Sequence, residues 1–312
     1  MKVLITGGAG FIGSNLAKHL NQLEPNWTLR VIDDLSSGFR NNLEGVDAEF
    51  IEASMLDPDA RAVAVSGIDA IVHLAAIPSV PRSVAAPLPS HGANATGTLE
   101  LLESARAAGV EQVIVASSSS VYGSNPAMPK SEFDWTRPMS PYGVSKLATE
   151  AYTLAYNYSY GMRNLAFRFF NVYGPGQAAG HAYAAVIPQF VDAALDGRPL
   201  PIHGDGSQSR DFTYVGTVCA VLHEAVARHV TSNDPVNLAF GTNTTIEELV
   251  ELLEERLGTL RRDHQPSRVG DVRASQSDGV RVRELFPDVT PVDLRTGLAE
   301  TVDWFKSTRA NA

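Results

Sequence analysis

Val3-Leu4-Ile5-Thr6-Gly7-Gly8-Ala9-Gly10-Phe11-Ile12-Gly13 opens this 312-residue chain, and its reading decides the fold. An apolar run meets glycines at 7, 10 and 13, and the amphipathic stretch Phe11–Leu23 follows. The pattern is a buried strand, a tight turn and a helix. Glycine lets such a turn bend sharply and approach a ligand, while the helix start offers unpaired N–H groups and a partial positive charge. A pyrophosphate is what such a turn holds. A glycine triplet alone is weak; a strand before, a helix after and an acidic residue about 20 positions on make it specific. Asp33, with Asp34 beside it, ends the run Leu29-Arg30-Val31-Ile32. A carboxylate there accepts from ribose hydroxyls and repels a 2′-phosphate, so NAD is expected rather than NADP.

Working outward, short apolar runs alternate with amphipathic stretches up to about residue 170. Strands are expected at Val3–Thr6, Leu29–Ile32, Glu49–Ile51, Ala70–Leu74, Gln112–Ala116 and Asn164–Phe169, with helices at Phe11–Leu23, Asn94–Ala108 and Ser140–Tyr160. Continuous apolar strands alternating with helices predict an α/β fold, a Rossmann-type doubly wound parallel sheet. Residues 1–170 are expected to form an NAD-binding domain to which later segments return. Residues 171–312 are expected to form mostly a smaller α/β substrate lobe, with helices at Ala184–Leu195, Ile246–Leu257 and Leu294–Phe305 and extended pieces at Leu200–His203 and Val236–Leu238. Loops at 197–211 and 264–277 are expected to build a pocket.

Composition excludes several classes. No run of about 18 apolar residues appears, so no membrane span is expected. A net charge of −10 argues against broad nucleic-acid binding. The chain enters a strand at once, leaving no room for a signal peptide, and its single cysteine, Cys219, forbids an internal disulfide. A cytoplasmic location is therefore expected. Cys219 lies in an apolar stretch and reads as packing rather than nucleophile. No metal site is expected.

The second informative string is Tyr142-Gly143-Val144-Ser145-Lys146, with the serine run Ser117–Ser120 upstream. Tyr142 and Lys146, four apart on a helix, share one face. A free tyrosine, with a pKa of about 10, is a poor base, and each unit of lowering needs about 1.4 kcal/mol of preferential stabilisation of the phenolate. A neighbouring ammonium and a positive nicotinamide ring are expected to supply it.

Together the Gly-x-x-Gly-x-x-Gly turn and the Tyr-x-x-x-Lys pair resemble the extended short-chain dehydrogenase/reductase family over essentially the whole chain. The resemblance implies that His73-Leu74-Ala75-Ala76 ends a strand against the cofactor, that Asn94 supports the nearby backbone, and that Lys146 bonds the nicotinamide ribose. It places Phe11, Ile12, Leu74, Ala75, Ala76, Ser117 and Phe169 around the cofactor, with Ser118 bonding the reacting oxygen. Where the family carries Asp followed by an aliphatic residue for the adenine amino group, this chain has Ser54-Met55. Dehydratases of the family resemble one another in an acidic residue before the Val/Leu-Tyr-Gly element. Here Ser118-Ser119-Ser120-Val121-Tyr122-Gly123 has none, which leaves hydride removal and return without elimination.

The substrate strings resemble those of UDP-sugar 4-epimerases. By that likeness Asn171, after Arg168-Phe169-Phe170, meets a diphosphate. Arg210 in Ser209-Arg210-Asp211-Phe212 and Arg268 in Arg268-Val269-Gly270-Asp271 clamp it, Asp271 meets the uridine ribose, and Ala184-Ala185-Val186-Ile187-Pro188 wraps uracil. Two guanidiniums on one diphosphate are physically apt, each a permanently charged fork. Ser275, seven places after Arg268, stands where a tyrosine would exclude N-acetyl groups. The string Ser79-Val80-Pro81-Arg82-Ser83 resembles the subgroup acting on UDP-N-acetylglucosamine, although Gln177-Ala178-Ala179-Gly180-His181 lacks that subgroup's asparagine. The expected activity is NAD-dependent C4 inversion of UDP-hexoses through a 4-keto sugar, with UDP-GlcNAc/UDP-GalNAc favoured and UDP-Glc/UDP-Gal also open. The alternatives are an enzyme confined to UDP-glucose/galactose, one for UDP-uronic acids met by Arg82 or His181, or a cofactor-sensing protein without chemistry. The family likeness also implies a homodimer through the helices near 94–108 and 141–158, where Tyr152, Tyr156, Tyr158 and Tyr160 lie.

Overall fold

The computed structural model describes residues 1–179, 184–266 and 273–310. Seven parallel strands form its centre: β1 (Lys2–Thr6), β2 (Thr28–Asp33), β3 (Glu49–Glu52), β4 (Ala70–His73), β5 (Gln112–Ser118), β6 (Leu165–Phe169) and β7 (Val236–Leu238). Their order is β7-β6-β5-β4-β1-β2-β3. The winding reverses between β1 and β4, and a crevice opens at the carboxyl ends of the strands at such a switch point. Ile5 pairs with Val31 on one side and Val72 on the other.

Alternation along each strand sends side chains to two covered faces. Val3 and Ile5, with Val31, Val72, Ile114 and Phe167, pack under α1 (Phe11–Leu23), whose Leu16 and Leu20 are fully buried. Leu4, Ile71, Val113 and Val115 pack on the other face under α2 (Gly97–Ala108), through Leu101, Leu102 and Ala105. Helix α3 (Pro141–Tyr160) covers β5 and β6. Ser140 starts it as an N-cap, its Oγ accepting from the Gly143 N–H at 3.1 Å, and Gly161 (φ +67°) ends it. The run expected to begin a helix at Asn94 instead enters it through a π turn, Gly92–Thr96.

The smaller lobe holds α4 (Val186–Leu195), the parallel pair Leu200–His203 with Arg262–Gln265, and a three-stranded patch in which Ser209–Arg210 lies between Thr244–Thr245 and Ala274–Ser275. Helix α5 (Val215–Ala227) packs on α1, and β7 pairs with β6, so the chain re-enters the main layer after residue 171. Among the described residues no helix is long and apolar enough to cross a membrane.

Candidate active site

The glycine turn is built by close backbone approach. Gly7 has φ +68°, and a Cβ there would lie 2.7 Å from Ala75 N and Cα. A Cβ on Gly13 would lie 2.3 Å from the Gly7 carbonyl oxygen, so α1 can start this close to β1 only with glycine. Gly10 begins α1 with no side-chain cap, leaving the first N–H groups of the helix facing the crevice.

A cleft of about 830 Å³ runs over the strand ends from this turn to α3. Phe11, Ile12, Asp33, Asp34, Ser54, Met55, Leu74, Ala75, Ala76, Ser117, Phe169, Tyr142 and Lys146 line it with Gly7, Gly10 and Gly13. Asp33 is fixed at the end of β2: the Ala9 N–H donates to its Oδ2 at 2.9 Å and the Leu35 N–H to its Oδ1 at 2.8 Å. Burial nevertheless pushes its carboxyl above the usual range, opposed by these N–H groups. Ser54 stands beside it, its Oγ accepting from the Leu56 N–H at 3.2 Å.

Asn94 does not line the cleft. Its Oδ1 accepts from the Ile77 N–H at 2.8 Å and its Nδ2 donates to Ser145 Oγ at 3.0 Å, tying the loop after β4 to α3. His73 is fully enclosed, Nδ1 at 2.7 Å from Thr6 Oγ1 and Nε2 at 3.1 Å from Thr98 Oγ1. Burial, with Lys146 nearby, drops its pKa to about 3, so it is neutral.

At the far end Tyr142 and Ser118 line the cleft together. Burial raises the Tyr142 pKa, and the Ser118 hydroxyl opposes that rise. Ser118 lies 3.1 Å from Ser120 Oγ, which also faces the cleft. Lys146 Nζ donates to the Ala116 carbonyl at 2.7 Å, and burial lowers its pKa to about 8, so it remains a cation at neutral pH. Burial thus works against the phenolate expected at Tyr142. An open helix start, an anchored acidic residue and a tyrosine–lysine pair on one cleft fit a bound dinucleotide.

The predicted substrate residues divide. Ser79, Arg82, Ser119, Asn171 and Ala185 line the same cleft. Ser79 holds φ +113°, a conformation costing a residue with a side chain about 1–3 kcal/mol, and it caps the helix Val80–Ala85. Ser83 is wholly buried; its Oγ accepts from the Tyr142 N–H at 3.0 Å and so holds the tyrosine's backbone instead of facing the cleft. A second cavity of about 230 Å³, sharing Asn171, Val172 and Ala185 with the first, is lined by Val186, Gln189, His203, Gln208, Arg210 and Phe212. Ser275 lines neither cavity: it is the register partner of Arg210, and its carbonyl accepts from the Asp211 N–H at 2.7 Å. Arg268, Asp271 and His181 lie outside the described residues. Sequence reading passed over Ser120, although it sits in the quoted serine run, and the polar lining of the second cavity, Gln189, His203 and Gln208, which belongs to no motif.

The aromatic run on α3 also divides. Tyr156 is buried, its hydroxyl bonded to Glu103 and its ring 4.8 Å from that of Tyr160, whereas Tyr158 is 73% exposed.

The sequence matches the NAD dependent epimerase/dehydratase family over residues 3–239. It is 37% identical to a UDP-glucose 4-epimerase of Mycolicibacterium smegmatis, over 98% of this chain and 99% of the relative. A UDP-glucose 4-epimerase of Thermotoga maritima, solved with UDP-glucose, superposes with a TM-score of 0.92 at 35% identity, covering 99% of this chain and all of that one. A UDP-N-acetylglucosamine 4-epimerase of Methanobrevibacter ruminantium, solved with UDP-N-acetylmuramic acid, gives 0.91 at 35% identity over 98% of each chain. The chain belongs to the NAD dependent epimerase/dehydratase family, and NAD is its cofactor.

Proposed function

We propose that the protein is a 4-epimerase of UDP-hexoses, acting on UDP-N-acetylglucosamine and its C4 epimer, with UDP-glucose and UDP-galactose as further substrates. One observation carries this: Tyr142, Ser118 and Lys146 line the same end of the cleft, and the turn Ser119–Val121 beside them bears no carboxylate. A proton can thus leave and return to a sugar hydroxyl, but the turn offers no acid to expel a neighbouring water. The bound nicotinamide supplies reversible hydride acceptance from the carbon carrying that hydroxyl.

The residues then divide the work. Tyr142 takes the proton, Ser118 bonds the same oxygen, and the Lys146 cation favours the phenolate. Arg210, with Arg268, holds the diphosphate, and the second cavity takes the base through Ala185 and Val186. Clamping only the nucleotide leaves the 4-keto sugar free to present its other face before proton and hydride return.

Arg82 favours a second reading. It is exposed and lines the cleft, where a guanidinium suits a uronic acid carboxylate. Incubation with UDP-GlcNAc, UDP-glucose and UDP-glucuronic acid separately, without added NAD, with products read by NMR, decides among them. The favoured reading fails if only the uronate is inverted. We further propose a homodimer through α2 and α3, supported by the exposed Val144, Tyr152 and Tyr158 on α3; a monomeric mass by light scattering overturns it.

A further inference from the structure

Behind the reacting groups lies a layer of buried polar side chains that the chemistry above leaves unused. Glu150 follows Lys146 by one helical turn and Tyr142 by two, so all three share the face of α3 turned to the sheet. Ser117 and Arg168 are register partners on β5 and β6. Both reach Glu150. Arg168 Nε donates to Oε2 at 2.9 Å and Nη2 to Oε1 at 2.6 Å, a bidentate pair with side chains only 4% and 5% exposed. The Ser117 hydroxyl lies between Glu150 Oε2, at 2.9 Å, and the Lys146 carbonyl, at 3.3 Å.

On its other side Arg168 lies over the Tyr122 ring, 4.7 Å from the centroid, and its Nη1 donates to the Glu132 carbonyl at 3.2 Å. Tyr122 closes the turn Ser119–Val121, and its hydroxyl donates to Asn237 Oδ1 at 2.7 Å. Arg168 thus stands between the two pieces that carry the reacting groups: α3 with Tyr142 and Lys146, and the turn with Ser118 and Ser120. Lys146 in turn is held at both ends, by Ser117 at its carbonyl and by Ala116 at its ammonium. A buried ion pair adds little net stability, because both charges leave water to form it; what a bidentate fork adds is fixed geometry.

We propose that the Arg168–Glu150 pair is a positioning device that sets the Ser118–Tyr142–Lys146 spacing, so that proton transfer at Tyr142 depends on two residues that do not line the cleft. The proposal rests on the epimerase reading of Tyr142, and its test separates the two. Arg168→Lys, Glu150→Gln and the double variant Glu150→Gln/Arg168→Met are compared with the parent holoenzyme, with Tyr142→Phe as control. For the UDP-sugar that the parent turns over, kcat and KM are measured between about pH 5.5 and 9, alongside thermal melts.

A misplaced cation stabilises the phenolate less, so the acid limb of kcat moves up. We expect kcat at neutral pH to fall about tenfold in all three variants, KM to stay within about threefold, and the limb to rise by about one pH unit. The double variant, with neither charge left unpaired, is expected to melt close to the parent yet keep the kinetic defect. An unmoved limb, a loss of kcat that only tracks the unfolded fraction, or recovery of parental kcat in the double variant overturns the proposal. Where Tyr142→Phe is inactive, those results overturn the positioning alone. A Tyr142→Phe enzyme that turns over overturns the epimerase reading and this proposal with it.

Discussion

Replacing Gly13 by alanine tests how the cofactor turn is built. The added methyl would lie 2.3 Å from the Gly7 carbonyl oxygen and 2.6 Å from Gly8 Cα. Both obstacles are backbone, so no side chain can swing aside. An ordinary carbon–oxygen contact is roughly 1 Å longer than the first of these, and α1 must withdraw from β1 by about that amount. Overpacking of this kind costs about 1–3 kcal/mol. For a chain of this size that is a drop in melting temperature of roughly 2–5 °C. The same withdrawal moves the uncapped N–H groups of α1 beyond hydrogen-bond range of a phosphate held at the turn. Losing one or two such charge-assisted bonds, at about 1.5–3 kcal/mol each, weakens NAD binding by about 10- to 100-fold or more. Gly10→Ala is the internal comparison: its methyl would meet only the Gly7 oxygen, at 3.2 Å, a gap closed by a few tenths of an ångström. Its melting temperature should stay near the parent's even if its methyl hinders NAD. The assay is a thermal melt of cofactor-stripped protein together with an equilibrium NAD titration. If Gly13→Ala melts with the parent and binds NAD within twofold, or if Gly10→Ala is the less stable of the two, the reasoning about this turn is wrong.

Further expectations concern other parts of the fold. Asp33→Ala removes the carboxylate fixed by Ala9 and Leu35, and should weaken NAD about tenfold while narrowing its preference over NADP, read by titrating both. Ser118→Ala should lower kcat by about 10- to 100-fold with little change in KM; a proportional rise in KM would place Ser118 in binding instead. His73 is neutral in the fold, with a pKa of about 3, but titrates near 6.5 when unfolded. The unfolded state therefore binds the extra proton. The stability is fully present above pH 6.5 and falls by about 1.4 kcal/mol per pH unit as pH drops toward 3. Chemical denaturation at pH 7, 6 and 5 should show a shallower slope in His73→Asn, and an unchanged slope would exclude His73 as its source. Cys219 is 1% exposed and burial pushes its thiol to about 12, so the native protein should resist alkylation that proceeds readily in denaturant.

The main layer was legible because local signals agreed there. Val3–Ile5, Ala70–Val72 and Val113–Ala116 are apolar at every position, as strands buried on both faces must be, and the helix expected at Ser140–Tyr160 is found as α3 between its Ser140 cap and Gly161. Helix α5 was not legible. The outer face of Val215–Ala227 is made of Gly216, Ala220 and Ala227 with only His223 and Glu224 as polar markers, so its 3.6-residue period is weak in the sequence. The strand Val236–Leu238 could be seen as extended, but its place beside β6 is a matter of long-range pairing that three residues do not encode. At the site, the reacting groups were visible as a spacing on one helix. Continuing that spacing by one more turn reaches Glu150, yet its partners Arg168 and Ser117 lie on neighbouring strands, and only the sheet register brings them together. Ser83 and Ser275 show the converse. Each belongs to a string that suggested a pocket wall, but one supports the Tyr142 backbone and the other pairs with Arg210.

The most direct test follows a UDP-hexose through the enzyme in heavy water with no cofactor added. If the hydrogen at carbon 4 leaves and returns as hydride within one closed cleft, NMR should show the C4 epimer accumulating to equilibrium with protium still at carbon 4 and no reduced nicotinamide left behind. Deuterium at carbon 5 with loss of water, or no C4 epimer from any of the candidate sugars, would contradict the account.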